Sequence, residues 1–404
     1  MKTKIYPPEF FRLCVAALLF FFSFNLVIPE LPNMLRELGG AAYLGWIIPA
    51  FSISALIARP ISGWVTDNIG RRTTLIVGCA FCIVAGFFYP LVGTVFGFLL
   101  VRIIHGFSTG FTPTGFTAYT ADIVPSTHRG RAMGWQGLFN NAGTSLGYGL
   151  GAIIALHFGR DIMFLCSALF ALIAIAIFYT LPETLPSDRK RVKPELSWKR
   201  LIYVPTWKPG ILMLFVCISL GSVLTIMPDY TVSLGFSNKG LYLTWYIAFS
   251  LLFRLISGKI SDALGRAWST AIGTGVQILS MWVLIAQPGG YINNEPYYFY
   301  LSAVLYGIGQ GFNAPSLFAW AGDLGGSQNR GKSISTLFIS LELGVIIGGF
   351  LSGYIVAQWG GHYEDVFLMN GLAFGAAFLF SIYFIMYPSS PDAVEESKKH
   401  HSSI

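Results

Sequence analysis

Residues 59–71 read RPISGWVTDNIGR, and residues 254–266 read RLISGKISDALGR, so that seven of thirteen positions are identical at an offset of 195. A match of this length between distant segments marks an internal duplication. It continues outward: DIVPSTHRGR (122–131) aligns with DLGGSQNRGK (323–332) at an offset of 201, and Gly143 and Gly147 align with Gly344 and Gly348 at the same offset. The starts of the halves agree too, because Pro29-Glu30 answers Pro228-Asp229 at an offset of 199. The shift in offset places the extra residues around 288–296. The chain is therefore two parallel copies of one unit.

Composition says what kind of unit it is. Of 404 residues 54% are apolar and 11% charged, with a mean hydropathy of +0.62, against roughly a quarter charged in soluble domains. The apolar residues fall in long blocks and do not alternate, which excludes a soluble enzyme and an outer-membrane barrel and indicates bilayer-crossing helices. Twelve windows have the length of about 20 residues that a spanning helix needs: 10–31, 43–63, 74–93, 95–121, 134–156, 162–182, 210–228, 240–261, 268–287, 297–321, 333–357 and 365–387. The first is too long for a signal peptide and lacks a small-residue cleavage site. Six spans then precede and six follow a basic, proline-bearing connection. The expected organisation is a six-helix bundle over 1–182, a cytoplasmic linker over 183–209, a second bundle over 210–388 and a cytoplasmic tail over 389–404.

Basic residues gather on one side of this arrangement, and the opposite loops hold only Arg36, Arg160 and Lys239. By the positive-inside tendency both termini are cytoplasmic. The net charge of +7 is thereby accounted for as a topology signal, and no nucleic-acid partner is expected. Trp198, Tyr203 and Trp207 beside bases suggest a linker segment at the lipid headgroups. The five cysteines lie in apolar stretches and suit helix packing, not a disulfide framework.

Parallel six-span repeats build carriers whose substrate site lies near the bilayer midplane. The residues here resemble the major facilitator superfamily: Gly63 to Arg72 is similar to its loop 2–3 signature, and Gly258 to Arg266 to the second copy in loop 8–9. Arg102-Ile-Ile-His105-Gly106, with Gly110 and Pro113, resembles the fourth-helix motif of the twelve-span drug–proton antiporter branch. In the fifth span Gly143, Gly147, Gly149 and Gly151 keep that branch's spacing, while Tyr148 stands where it has proline and Ala152 where it has glycine. The resemblance implies an all-α membrane protein of twelve helices in two pseudo-symmetric bundles, working by alternating access.

Charge is scarce, so each ionisable residue in or beside a span is informative. Asp67 and Asp262 occupy matching short loops. Each is expected at a helix N-terminus, where unpaired amides and the helix dipole favour a carboxylate: Asp67 at the eleventh span, Asp262 at the fifth. Gly63, Gly70, Arg71, Asp122, Arg129, Gly258, Arg266, Asp323 and Arg330 complete this cytoplasmic gate. Glu342 lies nine residues into the eleventh span, Arg102 and His105 about two turns into the fourth, and Glu30 and Asp229 at the ends of the first and seventh. A carboxyl group in a low-dielectric cavity, tuned by a nearby arginine, can exchange a proton. Glu342, Glu30, Asp229, Arg102 and His105 are thus the expected coupling residues, with Glu30 paired to Arg102 because family architecture sets the first and fourth spans side by side.

The cavity is expected to be lined by Phe24, Asn25, Thr109, Thr112, Gln136, Asn140, Asn141, Thr225, Tyr306, Gln310 and Asn313. Any of these polar side chains could equally serve a helix–helix hydrogen bond. The sequence holds no P-loop, no H-E-x-x-H and no G-x-S-x-G, so no enzymatic activity, metal or cofactor is expected and an ion gradient must supply the energy. The expected function is proton-coupled efflux of small amphipathic organic compounds by a monomer in the plasma membrane, a bacterial inner membrane, in contact with substrate, protons and lipid. Two alternatives stay open: a carrier of one polar metabolite such as a sugar, a siderophore-like chelator or a lipid precursor, and a receptor or scaffold that no longer transports.

Overall fold

The computed structural model describes residues 6–125, 128–185, 202–286, 297–358 and 362–387. Among them the regular structure is entirely helical. The first span is α1 (Pro8–Leu26), a single 3-10 turn (Ile28–Glu30) and the short α2 (Leu31–Glu37). It is followed by α3 (Ile47–Asn68), α4 (Arg71–Phe88), α5 (Val95–Ile123), α6 (Arg129–Phe158) and α7 (Arg160–Tyr179). The second half begins with α8 (Trp207–Ser233), α9 (Leu241–Leu264) and α10 (Arg266–Ile285). Residues Tyr297–Gln358 run as one helical stretch that breaks at Gly326, whose φ of 55° and ψ of −152° no helix accommodates. We call its parts α11 (297–325) and α12 (327–358); α13 (Tyr363–Met386) closes the series. All twelve expected spans are present as helices.

Ten of the spans are long and apolar enough on composition alone to cross a membrane. Neither α6, diluted by Gln136, Asn140, Asn141, Thr144 and Ser145, nor α11 is among them. Large apolar side chains such as Phe87, Phe96, Leu172, Leu255, Leu372 and Leu379 stand on the exterior, an arrangement suited to acyl chains and costly in water. The protein is an integral membrane protein.

Turn chemistry fixes the short connections. Gly70, Gly159 and Gly265 take positive φ between α3 and α4, α6 and α7, and α9 and α10. Thr94 caps α5 by accepting a hydrogen bond from Gly97 N, satisfying one of the amides a helix start leaves open.

Helix–helix approach relies on small residues. A Cβ at Gly143, Gly147 or Gly151 of α6 would overlap backbone of α1 at Leu18, Phe22–Asn25 or Leu26. Gly344 and Gly348 of α12 lie in the same way on α8 at Leu214–Cys217 and Ile218. Glycines four apart let two backbones come together where lipid supplies no hydrophobic drive between helices. The duplication read in the sequence is thus repeated in the packing.

The chain forms two compact units. The first holds Met1–Leu196 together with Val223–Ala248 and Gly349–Gly361; the second holds Ser197–Ser222, Phe249–Gly348 and His362–Ile404. Within the first unit, the ends of α8, α9 and α12 pack on the N-terminal helices. Trp46 meets Phe350 edge to face with centroids 5.6 Å apart, and a Cβ on Gly353 would overlap the backbone of Gly45. The central linker, 186–201, and the 389–404 tail lie outside the described residues.

Candidate functional site

Each unit carries an ion cluster at the end bearing its copy of the repeated segment. In the first, Arg71 Nε donates to Asp122 at 2.8 Å, Nη1 donates to the Thr66 carbonyl at 2.7 Å, and the guanidinium lies 3.6 Å from Asp67. In the second, Arg266 Nε donates to Asp323 at 2.9 Å and Nη1 to Asp262 at 2.5 Å. One arginine thus gathers the aspartate four residues before it and a second from the end of the fourth or tenth span. Asp67 and Asp262 are 57% and 70% exposed while Arg71 is nearly buried, so the Arg71–Asp122 bond is the best-shielded member. Gly63 and Gly258 face open space. The side chains of Arg129 and Arg330 lie outside the described residues.

The first cluster has a member that sequence reading missed. Glu183, just past α7, accepts hydrogen bonds from the Arg71 and Arg72 amides at 2.9 and 3.1 Å, which are the open N-terminal donors of α4. A carboxylate there is favoured by the helix dipole as well. Gly70 suits this point through its positive φ, and a Cβ there would push the Glu183 carboxylate aside. Thr184 donates to Asp122 at 2.7 Å, Tyr119 to the Pro182 carbonyl at 2.8 Å and Arg72 to the Leu181 carbonyl at 3.3 Å. The first residues of the linker are thereby strapped over the ion cluster.

At the opposite end the expected Glu30–Arg102 pair does not form. Glu30, buried in the turn after Pro29, is taken by Lys239 at 2.6 Å. Arg102 is wholly buried: its Nε donates to the Ile47 carbonyl at 2.9 Å and its Nη1 to the Tyr89 hydroxyl at 3.3 Å. Its guanidinium lies 4.6 Å from the Phe51 ring centroid. A carbonyl, a phenol and an aromatic face contact it where a carboxylate was expected, and its buried Nη2 has no hydrogen-bond partner among the described residues. Among the described residues no carboxylate pairs with Arg102. His105 faces the same Tyr89 hydroxyl through Nδ1 at 3.3 Å. Asp229 pairs with Arg36 at 2.5 Å. Glu342 is buried in the Lys332–Ala357 span, two residues before the Gly344 contact with α8.

Four of the expected cavity residues, Asn25, Gln136, Gln310 and Asn313, bond to a neighbouring helix. Asn25 donates to the Phe21 carbonyl and to Thr144 Oγ1, Gln136 accepts from Thr120 at 3.0 Å, and Asn141 and Thr109 bond within their own helices. Phe24 stacks on Phe51 with centroids 5.2 Å apart and meets His105 edge-on. Buried acceptors or hydroxyls without a partner remain at Thr112 Oγ1 and Asn140 Oδ1. Thr225 is buried in the first unit. In the second unit Asn313 donates to Gln277 at 2.6 Å and Gln277 to Gln310 at 3.3 Å, forming a buried amide chain between α10 and α11. Tyr306 is buried beside Phe374. Gln277 was missed; its position among the small residues of a weakly apolar span was the available sign.

Lys239, Arg36 and Tyr89 were also missed as partners. A signal existed for the first two. The three bases found in the sparsely basic loops, Arg36, Arg160 and Lys239, each pair with an acid: Asp229, Glu37 and Glu30.

A duplicated all-helical membrane protein with the same arginine–aspartate cluster in both repeats defines the class. The chain belongs to the Major Facilitator Superfamily, whose family profile matches residues 13–290 and 239–404. Among curated relatives, quinolone resistance protein NorA of Staphylococcus aureus strain COL is 25% identical over 362 residues, 85% of this chain and 89% of the relative. Multidrug resistance protein 1 of Bacillus subtilis strain 168 is 30% identical over 200 residues, 48% of this chain and about half, 51%, of the relative. The likeness to the drug–proton antiporter branch expected from the fourth-helix motif thus extends beyond that motif, to drug-resistance proteins matched over 85% of the chain in one case and 48% in the other. Among solved structures, a D-xylose–proton symporter shares the fold with a TM-score of 0.74 at 18% identity, covering 92% of this chain and 96% of that one. The human organic anion transporter MFSD10 does so with 0.72 at 18%, covering 93% and 100%.

Proposed function

We propose that the chain is a proton-coupled exporter of small amphipathic organic compounds, with its termini cytoplasmic in a bacterial inner membrane and its two repeats, 1–182 and 210–388, alternating access as a monomer. The observation that carries this reading is buried ionisable chemistry: Glu30, Glu342 and Arg102 are all nearly or wholly withdrawn from solvent inside spans, where such groups are costly and retained for use. The drug-resistance names of the sequence relatives support efflux. Glu342 takes the proton, with Glu30 and Asp229 at the outer end. Asp67 and Asp262 seat on the helix starts of the eleventh and fifth spans when the cytoplasmic side closes. Phe24, Thr112, Asn140 and Tyr306 contribute to the substrate surface.

A second reading, a carrier of one polar metabolite, draws on Arg102: a buried guanidinium lacking a carboxylate partner disfavours permanent cations nearby. A substrate screen in proteoliposomes under an imposed pH gradient separates the two, since many unrelated dyes and cations support the first and a single compound the second. Glu342→Gln should abolish the pH dependence of transport; an unaltered pH profile removes Glu342 as the proton site.

A further inference from the structure

Glu30 and Asp229 are repeat equivalents, each following a proline at an offset of 199. Each is answered by a base from the other repeat. Lys239, from the loop before α9, reaches Glu30 at 2.6 Å, and Arg36, from α2, reaches Asp229 at 2.5 Å. The two bonds therefore cross between repeats in opposite senses. Both acids are well shielded, with side chains 8% and 15% exposed, so the pairs act in a poorer dielectric than surface ion pairs do.

The backbone that carries Lys239 is closely packed. Asn238 closes its turn by accepting from Gly240 N at 3.0 Å, presenting Lys239 from a fixed backbone. Gly240 itself leaves no room for a Cβ against the Tyr148 carbonyl, and Gly45 and Gly353 touch backbone to backbone nearby. Arg160–Glu37, at 2.6 Å, lies at the same end but joins two residues of the first repeat.

We propose that Glu30–Lys239 and Asp229–Arg36 form a reciprocal charged latch that holds this end of the carrier shut and must part whenever it opens. Lys239 and Arg36 thereby become positioning residues for the transport cycle. The latch supplies a charge-based closure at the end opposite the arginine–aspartate clusters. It opposes separation of the repeats, whereas Arg160–Glu37 does not, because both of its members travel together.

The test needs neither substrate nor proton gradient, so its outcome is independent of the transport reading. Spin labels are placed at the exposed Tyr43 and Tyr354, which flank the Gly45–Gly353 contact, in full-length protein whose native cysteines have been replaced, and distances are measured in lipid nanodiscs. The parent should give one dominant short distance. The double variant Lys239→Ala/Arg36→Ala, and the isosteric Glu30→Gln/Asp229→Asn, should each raise the long-distance fraction several-fold. The exchange Glu30→Lys/Lys239→Glu should return most of the short distance, and Arg160→Ala should leave the parental distribution. Parental distances in both neutralised variants, no recovery on exchange, or an equal opening from Arg160→Ala would each overturn the latch.

Discussion

Arg71 Nε lies 2.8 Å from Asp122, a contact that ties the start of α4 to the end of α5. Its counterpart, Arg266 with Asp323 at 2.9 Å, ties α10 to α11 in the other unit. The two contacts differ in one respect. Around Arg71 the cluster gains Glu183 and Thr184 from the linker, whereas among the described residues nothing lies against Gly265, the counterpart of Gly70. Among the described residues the two clusters share their arginine and aspartates, and Glu183 and Thr184 brace the first of them.

Asp122→Asn keeps the shape of the side chain and removes the charge that Arg71 and Thr184 both address. Loss of one charge-assisted bond costs about 1.5–3 kcal/mol. Transport should fall by about tenfold or more, with the amount of protein in the membrane unchanged. Uptake or efflux rates normalised to immunoblot signal provide the check.

Glu183→Ala should free the Arg71 and Arg72 amides and weaken the first turn of α4 by about 1 kcal/mol, the usual worth of an N-terminal cap. Glu183→Gln, which keeps an acceptor but loses the charge, should recover part of this. Thermal unfolding of the detergent-purified protein should order the three as parent, glutamine variant, alanine variant. Identical midpoints would remove Glu183 from the brace.

Tyr89→Phe deletes the hydroxyl that meets both Arg102 and His105. Because Arg102 is fully buried, its donor is left without a partner, at a cost of about 1–3 kcal/mol. Arg102→Lys should be no milder, since an ammonium cannot serve the Ile47 carbonyl, the phenol and the Phe51 face together. Both variants should unfold at lower temperature than the parent; a lysine variant of parental stability contradicts the described geometry.

Gln277→Leu strands Asn313 and Gln310 in the second unit, while Gln277→Leu combined with Asn313→Leu removes both members of the 2.6 Å bond. The double change should be less than the sum of the singles, with a coupling of about 0.5–3 kcal/mol in a double-mutant cycle. Strict additivity in thermal unfolding would show that the amide chain carries no joint stability.

Much of the fold was legible because its determinants are local. The apolar blocks mark the helices to within a few residues, and the matching RPISGWVTDNIGR and RLISGKISDALGR segments carry the arginine and one aspartate of each cluster, although the pairing of Asp67 with Arg71 and of Asp262 with Arg266 is not what their position in the repeat suggests. Partner choice was less legible. Glu30 and Arg102 were both recognised as buried charge, yet their pairing depends on depth along adjacent helices and on a lysine 209 residues away in sequence. A carbonyl such as that of Ile47 carries no signature in the side-chain sequence at all. Polar residues on α6 and α11 were found as a set, but whether an amide bonds to a neighbouring helix or faces a cavity is decided by rotamer and packing.

The two ends of the linker are anchored separately. Residues 180–185 are fastened to α1, α4 and α5 through Arg12, Arg72, Tyr119 and Asp122. Tyr203 and Thr206 bond to Thr336 and Ser333 at the start of α12. Each flank of the central connection is thus held by bonds that do not involve the other flank, so that a substitution breaking the bonds at Tyr203 and Thr206 would leave those at residues 180–185 in place.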